Sequence, residues 1–394
     1  MADLGLSPLS LSPLPLSGLA HLLAAEGTGT AWDIAVEAMD RHRAGEDILL
    51  LTLGDPPEPP HPAIIAATHA ALDAGRTHYT PLLGEPLLRE AIARREGCGV
   101  ENVVVLPGAQ HGALAAVLMI ANPGDEIILS DPYYATYPGV VAAAQACKVV
   151  VPAGRNLSID VPAIIAAITP KTRAIFLNSP ANPSGAALST ANYALLSAAC
   201  IANRLWLLVD EVYAAFRFDG THVSAWQHGP AGQTIIVSSL SKSHAMTGYR
   251  IGWAVAPKRM AQALGDWSAA ALFGVSQFAQ DAGAAALALP AAELQPYLDG
   301  FRHRAAQVVA RANSIPGLAA SMPEGGMFVM LDCRAIAADD IAFAAELLAA
   351  TGVACVPGSG FGNAARGHLR ISLTPDMATL DAAFDRIASY LERR

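Results

Sequence analysis

The chain has 394 residues, 53% of them hydrophobic and 15% charged, so it can bury a large core and intrinsic disorder is excluded. Its net charge of -9 and its pI near 5.6 argue against nucleic acid or an anionic membrane as the main partner. The five cysteines are scattered without a C-x-x-C pair, which argues against a disulfide framework or a zinc site and is typical of a reduced, cytoplasmic protein.

The first 30 residues are interpreted as an N-terminal arm. Residues 1–17 are punctuated by proline, which predicts an extended or loose segment, and they lack the basic start of a signal peptide. No apolar run along the chain reaches the length of a membrane span without proline, glycine or charge. The pattern then predicts a helix over 31–44, a strand over Ile48–Leu53 and a turn at Gly54–Pro57.

The next segment predicts a phosphate-binding turn. Helical spacing over 61–95, broken around His78–Pro81, is followed by an apolar strand at Val103–Leu106. Small residues come next, including Gly108, Ala109 and Gln110, before a predicted helix over 111–121. Free N–H groups at such a helix start can receive a phosphate, because small side chains let the backbone come close.

Four more predicted strands each end in polar or aromatic residues. The pairs are Glu126–Leu129 with Tyr133 and Tyr134, Arg173–Leu177 with Asn182-Pro183-Ser184-Gly185, Leu205–Val209 with Asp210 and Tyr213, and Ile235–Val237 with Ser239, Ser241 and Lys242. Strands alternate with helices, which favours an α/β fold with a parallel sheet. In such sheets ligands bind at the carboxyl ends of the strands, so these residues are expected to share one edge.

Two of these residues have open alternatives. Asp210 follows a strand buried on both faces, so it needs a cationic partner, unless it simply caps the following helix. Tyr134, in preference to Tyr133, could stack on an aromatic ligand, although either tyrosine could instead pack in the core.

The C-terminal part is mainly helical and ends near an arginine strand. Helices are predicted over 260–272, 279–287, 290–314 and 341–352, with a strand starting at 324–330. The glycine-rich loop 356–362 lacks the strand and helix of a dinucleotide fingerprint. Arg370 lies in the predicted strand His368–Ser372, and its planar guanidinium suits a carboxylate, with a structural salt bridge as the alternative.

The spacing Ser239-x-Ser241-Lys242 followed by Arg250 resembles the lysine motif of class I pyridoxal phosphate (PLP) aminotransferases of fold type I. Asn182-Pro-Ser-Gly, Asp210-x-x-Tyr213, Arg370 and Tyr79-x-x-x-x-Gly84 resemble other segments of that family. The resemblance implies an α/β fold in which a large domain (50–290) has a doubly wound, mostly parallel sheet. It also implies a smaller α+β domain built from both chain ends (31–49 and 291–394).

The resemblance further implies a role for each site residue. Lys242 would bind the cofactor covalently, Asp210 would face its ring nitrogen, Tyr134 would stack on the ring, and Asn182 and Tyr213 would bind the phenolic oxygen. The cofactor phosphate would lie among Gly108, Ala109, Gln110, Ser239, Ser241, Arg250 and the partner subunit's Tyr79, which implies a homodimer. The substrate would contact Arg370, the backbone of Gly54, Trp32 and Asn182. No metal site is expected.

The predicted reaction is amino-group transfer from a neutral or basic L-amino acid to a keto acid such as pyruvate. Gln110 and Ala269–Ala271 stand where family enzymes for acidic substrates carry a second cation, which disfavours aspartate and glutamate. Phrases such as A-W-D-I and S-L-S-K-S-H-A-M-T-G further resemble arginine–pyruvate transaminases. Trp32 could form an apolar wall for the substrate's side chain. Asp33 could pair with a basic substrate side chain or merely complement the dipole at a helix N-terminus.

Two alternatives remain at this stage. A PLP-dependent carbon–sulfur β/γ-lyase shares the same set of residues. A non-catalytic PLP-binding regulator would carry a DNA-binding helix-turn-helix ahead of the family segment, whereas the residues before Leu49 are few, proline-rich and not markedly basic.

Overall fold

A computed structural model describes residues 16–26 and 29–394. The strands are β1 (Leu49–Leu50), β2 (Val103–Leu106), β3 (Glu126–Asp131), β4 (Cys147–Pro152), β5 (Thr172–Asn178), β6 (Trp206–Asp210), β7 (Thr234–Ser239), β8 (Gly252–Val255), β9 (Ala319–Ala320), β10 (Phe328–Asp332), β11 (Val353–Ala354), β12 (Val356–Pro357) and β13 (His368–Ser372). The helices are α1 (Gly18–Ala25), α2 (Gly29–Arg43), α3 (Pro62–Asp73), α4 (Pro86–Glu96), α5 (Ala109–Ile120), α6 (Tyr137–Ala143), α7 (Val161–Ala166), α8 (Thr190–Asn203), α9 (Ala225–His228), α10 (Lys258–Ala271), α11 (Gln277–Leu287), α12 (Ala291–Asn313), α13 (Asp340–Thr351) and α14 (Met377–Leu391).

The larger sheet has seven strands in the order β2-β8-β7-β6-β5-β3-β4. The pairs from β7 to β4 are parallel, whereas β8 runs antiparallel to both β2 and β7. Both faces are covered, because successive residues of β2 alternate between two cores: Val103 and Val105 pack in one, Val104 and Leu106 in the other. The predicted α/β class with a mostly parallel sheet is therefore confirmed.

A second, smaller sheet is built from strands of the C-terminal part of the chain. Its antiparallel strands follow the order β12-β13-β10-β9, and the short parallel pair β1-β11 lies apart from it. Its core contains residues from the N-terminal part, such as Ile34 and Leu51, beside Phe301 and Phe384 from the C-terminal part. Segments far apart in sequence thus share one hydrophobic core.

The strand predicted over Ile48–Leu53 is wrong in length, since only Leu49 and Leu50 form β1. Leu51 still pairs through its backbone, donating to Ala354 O and accepting from the Ser372 N–H, but the carbonyls of Thr52 and Leu53 accept hydrogen bonds from side chains of β13. Arg370 Nη2 donates to Thr52 O at 2.5 Å, and Ser372 Oγ donates to Leu53 O at 2.6 Å. The segment after β1 is therefore held against β13 by these side chains.

The N-terminal arm contains a helix that the sequence pattern did not predict. Ser17 caps α1 by accepting a hydrogen bond from the backbone N–H of Ala20. The ion pair of Glu26 with Lys148 ties the end of this segment to β4. Residues 1–15 and 27–28, which carry most of the predicted loose arm, lie outside the described residues. In the described ranges, no helix combines the length and apolar character needed to cross a membrane.

Candidate active site

A cleft of about 630 Å³ opens at the carboxyl ends of the large sheet's parallel strands. Its lining contains the predicted residues Ala109, Gln110, Tyr134, Asn182, Asp210, Tyr213, Ser239, Ser241, Lys242 and Arg250, together with Tyr137, Asn178, Val212 and Thr247. These side chains come from separate turns that follow β2, β3, β5, β6 and β7. The prediction that the polar strand ends meet at one edge is confirmed.

Lys242 is partly buried just beyond β7, and its Nζ donates a 2.5 Å hydrogen bond to Gly54 O. Burial lowers the pKa of its ammonium to about 8, while the nearby carboxylate of Asp55 opposes that shift. Arg250 and Arg370 add to the lowering by charge repulsion. The structure therefore provides an amine that loses its proton far more readily than an exposed lysine.

Asp210 ends β6 with its carboxylate buried in the cleft. Burial raises its pKa to about 6, although hydrogen bonds from the Val212 N–H and the Tyr137 hydroxyl, each at 3.0 Å, oppose the shift. The carboxylate thus binds a backbone N–H, as a cap would, but the following helical turn begins only at Ala214. A cation placed against the free side of this carboxylate would relieve its desolvation.

Asn182 and Tyr213 lie beside Asp210, on the neighbouring turns. The backbone N–H of Asn182 donates to Asn178 Oδ1 at 2.7 Å, and Asn178 Nδ2 donates to Asp210 O at 2.8 Å. Tyr213 is buried, which raises the pKa of its hydroxyl well above the usual value. Asn178 therefore holds the turns of Asn182 and Asp210 together.

The start of α5 faces Arg250. Gly108 has φ of +84° and no side chain caps the helix start. A Cβ on Gly108 would lie 2.4 Å from Arg250 Nη2, and a Cβ on Gly252 would lie 2.5 Å from the Gly108 carbonyl carbon. Arg250 itself adopts φ of +56°. Backbone N–H groups and a guanidinium are thus packed as closely as glycine allows, a geometry that suits a phosphate.

The hydroxyls of Ser239 and Ser241 lie at the same end of the cleft. Both serines are buried, and Ser239 Oγ accepts a 3.3 Å hydrogen bond from the backbone N–H of Ser241. Gln110 is bound differently, because its Oε1 accepts from Thr136 Oγ1 at 2.9 Å.

Arg370 is the largest buried cation of the site, 1% exposed in the middle of β13. Its Nη1 donates to Asn182 Oδ1 at 3.1 Å and its Nη2 to Thr52 O at 2.5 Å, both neutral oxygens, so the hydrogen-bond partners are not those of a salt bridge. Burial lowers the pKa of the guanidinium to about 10. Its Nε is buried without a hydrogen-bond partner, which leaves a donor for an anionic ligand.

Aromatic rings surround the same guanidinium. Arg370 Cζ lies 4.0 Å from the Phe328 ring centre, 4.6 Å from that of Phe361 and 5.6 Å from that of Trp32. Gly54 is packed against this group too, since a Cβ there would lie 2.6 Å from Phe328 Cζ. The rings exclude water from the guanidinium and strengthen its interaction with an anion.

Tyr79 does not reach the cleft of its own chain. It is 81% exposed and packs edge-on against Phe273, with ring centres 4.9 Å apart. Phe273 is itself 56% exposed and has φ of +58°. The pair forms an exposed aromatic contact outside the cleft.

Sequence reasoning missed Tyr137, Asn178, Thr247, Phe328 and Phe361. Asn178 could have been found, because it is the last residue of an apolar strand in the same way as Asp210. Tyr137 and Phe361 carried no motif that set them apart from core aromatics.

The residues present fit pyridoxal phosphate on structural grounds. A buried carboxylate without a cation in its immediate hydrogen-bond shell, an amine of lowered pKa, and an uncapped helix start against Arg250 lie in one cleft. The cofactor has a complementary ring nitrogen, aldehyde and phosphate.

Comparison with known proteins supports the same assignment. The sequence model of the family described as "Aminotransferase class I and II" matches residues 46–387. An arginine–pyruvate transaminase of Pseudomonas aeruginosa is 43% identical, covering 94% of this chain and 97% of the relative. An aspartate aminotransferase of Geobacillus stearothermophilus is 32% identical, covering 92% of this chain and 95% of the relative.

Among solved structures, the Thermus thermophilus aspartate aminotransferase with maleate superimposes with a TM-score of 0.90 at 31% identity, covering 96% of this chain and 100% of the other. The predictions of fold type, of an enzyme and of the cofactor are confirmed. The chain belongs to the class I and II aminotransferases, enzymes that use pyridoxal phosphate.

Proposed function

We propose that this aminotransferase takes a neutral or basic L-amino acid, with arginine as the first candidate, and passes the amino group to pyruvate or another keto acid. The name of the Pseudomonas aeruginosa relative supports this choice. The cleft supports it too, because Lys242 and Arg250 are the basic residues in its described lining, and Gln110 is neutral. A second substrate carboxylate would find no further cation there.

One observation carries the proposed reaction geometry. Arg370 Nη2 and Lys242 Nζ bind the carbonyls of Thr52 and Gly54, each at 2.5 Å. Since these carbonyls are two residues apart in the chain, one short segment holds both the carboxylate-binding guanidinium and the amine. An amino acid bound through its carboxylate to Arg370 is thereby placed with its Cα near Lys242.

At the cofactor, the proposed roles follow from the chemistry of each group. When bound, pyridoxal phosphate supplies an aldehyde that adds amines and a ring that accepts electrons. Lys242 holds the cofactor and, once released by the substrate, takes the proton from the substrate Cα, for which its pKa of about 8 suits it. Asp210 pairs with the ring nitrogen.

The other cofactor contacts are assigned as follows. Asn182 and Tyr213 hydrogen-bond the phenolic oxygen, and Tyr134 packs against the ring. Gly108, Ala109, Gln110, Ser239, Ser241 and Arg250 bind the phosphate. The closely packed glycines around Arg250 support this last assignment.

At the substrate, Arg370 binds the α-carboxylate, with its unpartnered Nε and the backbone of Gly54 as the free donors. Trp32 walls the side-chain subsite. Asp33 is exposed and is the fifth residue of α2, beyond the first turn where the helix dipole favours an acid. This position supports pairing with a basic substrate instead.

We further propose a homodimer in which Tyr79 reaches the phosphate site of the partner. Its exposure beside Phe273 supports a contact outside its own chain. The separate cores of the two sheets support the division into an arm (1–30), a small domain (31–49 and 291–394) and a large domain (50–290). The five free cysteines support a cytoplasmic location.

A donor panel tests the substrate proposal. Arginine, lysine, alanine, leucine, phenylalanine, aspartate and glutamate would be compared with pyruvate and 2-oxoglutarate as acceptors, and kcat/KM would be measured. We expect arginine or a neutral donor to exceed both acidic donors, and Asp33→Ala to raise KM for arginine but not for alanine. Preferred turnover of aspartate with 2-oxoglutarate would contradict the proposal. Release of keto acid with the cofactor left in its aminated form, rather than free ammonia, identifies transfer.

The roles at the cofactor have their own control. Lys242→Ala is expected to lose the visible absorption band of the covalently held cofactor while still binding it non-covalently. Lys258→Ala, at the exposed start of α10, is the matched control and keeps the band.

A further inference from the structure

The end of β3 is joined to a glycine-rich loop of the small sheet, residues 358–364. Asp131, the last residue of β3, is 2% exposed, and its Oδ1 accepts a 3.1 Å hydrogen bond from the backbone N–H of Ala364. Next to it, the backbone N–H of Tyr133 donates to Phe361 O at 2.9 Å. Two hydrogen bonds, at residues two positions apart, thus join the end of β3 to the loop.

The loop is fitted closely around the Asp131 carboxylate. Gly362 has φ of +122°, and a Cβ on it would lie 2.1 Å from Asp131 Oδ1. On the opposite side, the backbone N–H of Ser359 donates to Asp340 Oδ2 at 2.6 Å. Two buried carboxylates therefore hold the loop, one from each part of the molecule.

The loop carries Phe361, whose aromatic ring packs against the guanidinium of Arg370. Phe361 is fully buried, in a small cluster with Ala135, Val356 and Trp32, and its ring centre lies 4.6 Å from Arg370 Cζ. Ala135 belongs to the turn after β3, while Val356 pairs with Arg370 in the smaller sheet. Displacement of the loop would therefore remove a wall of the Arg370 site.

We propose that Asp131 is a positioning residue for the substrate carboxylate, holding loop 358–364 so that Phe361 stays against Arg370. This inference rests on the proposed role of Arg370 in binding that carboxylate. Asp131 is not among the residues that line the cleft, so its loss is expected to weaken substrate binding and leave the cofactor in place. Burial raises the pKa of Asp131, and the N–H donors of the loop oppose that shift, as expected for a carboxylate held by backbone groups alone.

The first measurement is amide hydrogen exchange on the cofactor-loaded enzyme. In Asp131→Ala, peptides covering residues 358–366 should exchange at least about tenfold faster, because a hydrogen bond to a buried carboxylate is lost. Asp131→Asn keeps one acceptor oxygen and should restore most of the protection. Asp125→Ala, immediately before the same strand, removes another carboxylate that binds a backbone N–H and should leave the loop unchanged.

The second measurement is binding of propanoate, a carboxylate without an amine, by calorimetry on the same samples. The Kd should rise about tenfold in Asp131→Ala and stay the same in Asp125→Ala, with the cofactor absorption band unchanged in both. In turnover, KM for the amino donor should rise with little change in kcat.

Gly362→Ala gives an independent arm, because its Cβ would push against Asp131 from the loop side. Alone it should weaken propanoate binding. Combined with Asp131→Ala the clash is gone and only the strain of an alanine at φ of +122° remains, so the two effects on Kd should be less than additive. Unchanged propanoate binding in Asp131→Ala, or unchanged exchange of the loop, overturns the inference. A wild-type enzyme that does not bind propanoate would instead refute the role of Arg370.

Discussion

The hydroxyl of Tyr137 donates a 3.0 Å hydrogen bond to Oδ2 of Asp210, and both side chains are buried. The Tyr137 ring is held by Phe176, with centres 4.1 Å apart, and by Tyr134, 5.6 Å away at a right-angled tilt. The bond stabilises the ionised carboxylate against its burial.

Removing the hydroxyl of Tyr137 should weaken cofactor binding at mildly acidic pH. In Tyr137→Phe the pKa of Asp210 rises above its value of about 6, so the carboxylate becomes protonated at a higher pH as the pH falls. The cofactor Kd, measured between pH 5 and 8, should begin to increase at a higher pH than in the wild type. Tyr133→Phe, on the adjacent turn, is the control, and identical pH profiles for the two variants would contradict the prediction.

The apo-enzyme should be stabilised by neutralising Asp210. Its pKa is raised from 3.8 to about 6, so burial of the ionised form costs stability above pH 6, and that cost disappears as the pH falls towards 3.8. At pH 8, apo Asp210→Asn should have a free energy of unfolding about 3 kcal/mol higher than the wild type.

Urea denaturation at several pH values checks this expectation. The advantage of Asp210→Asn over the wild type should shrink between pH 6 and pH 4. A constant difference across that range would show that the effect does not come from ionisation. Cofactor-loaded samples should show the reverse order, because the amide cannot pair with the ring nitrogen.

The reactivity of Lys242 should follow its lowered pKa. In the apo-enzyme, the rate at which the Lys242 amine combines with pyridoxal phosphate should rise with pH and reach half of its maximum near pH 8. Asp55 raises the pKa of Lys242, so Asp55→Asn should move that midpoint to lower pH. Glu58→Gln is the control, because Glu58 raises the pKa of Tyr297 together with Asp55 but is not among the groups that shift Lys242. A midpoint that moves upward in Asp55→Asn would contradict the assignment.

Two glycines with nearly the same positive φ separate the effect of backbone strain from the effect of a side-chain contact at the phosphate site. Gly108 and Gly124 have φ of +84° and +86°, but a Cβ would meet Arg250 Nη2 at 2.4 Å on Gly108 and nothing within 4 Å on Gly124. Both alanine variants should lose about 1 kcal/mol of stability or more, because a side chain disfavours backbone with positive φ.

Only Gly108→Ala should also raise the cofactor Kd, by about tenfold or more, because Arg250 must move away from the start of α5. Stability is measured by denaturation, and the Kd by absorbance titration of the apo-enzymes. Equal Kd values in the two variants would show that the Gly108–Arg250 contact is not part of the phosphate site.

The sequence alone determined the α/β class and the residues that end the strands. Val103–Leu106 and Ile235–Val237 are apolar runs that belong to buried strands, so the polar residues that follow them were expected at the edge of the sheet. Asp210 ends a further such strand, β6, and Lys242 lies three residues beyond the end of β7. Their grouping could be predicted, because parallel strands bring their carboxyl ends together whatever the detailed packing.

Only the tertiary structure decided which distant groups touch. Tyr137 and Asp210 are 73 residues apart, and Arg370 reaches Thr52 across 318 residues. Such pairs leave no local pattern, because their contact depends on how separate elements pack and not on the spacing of either one. The short length of β1 and the position of Phe361 beside Arg370 have the same cause. Where backbone groups are taken by side chains from another part of the chain, propensity and periodicity no longer determine the structure.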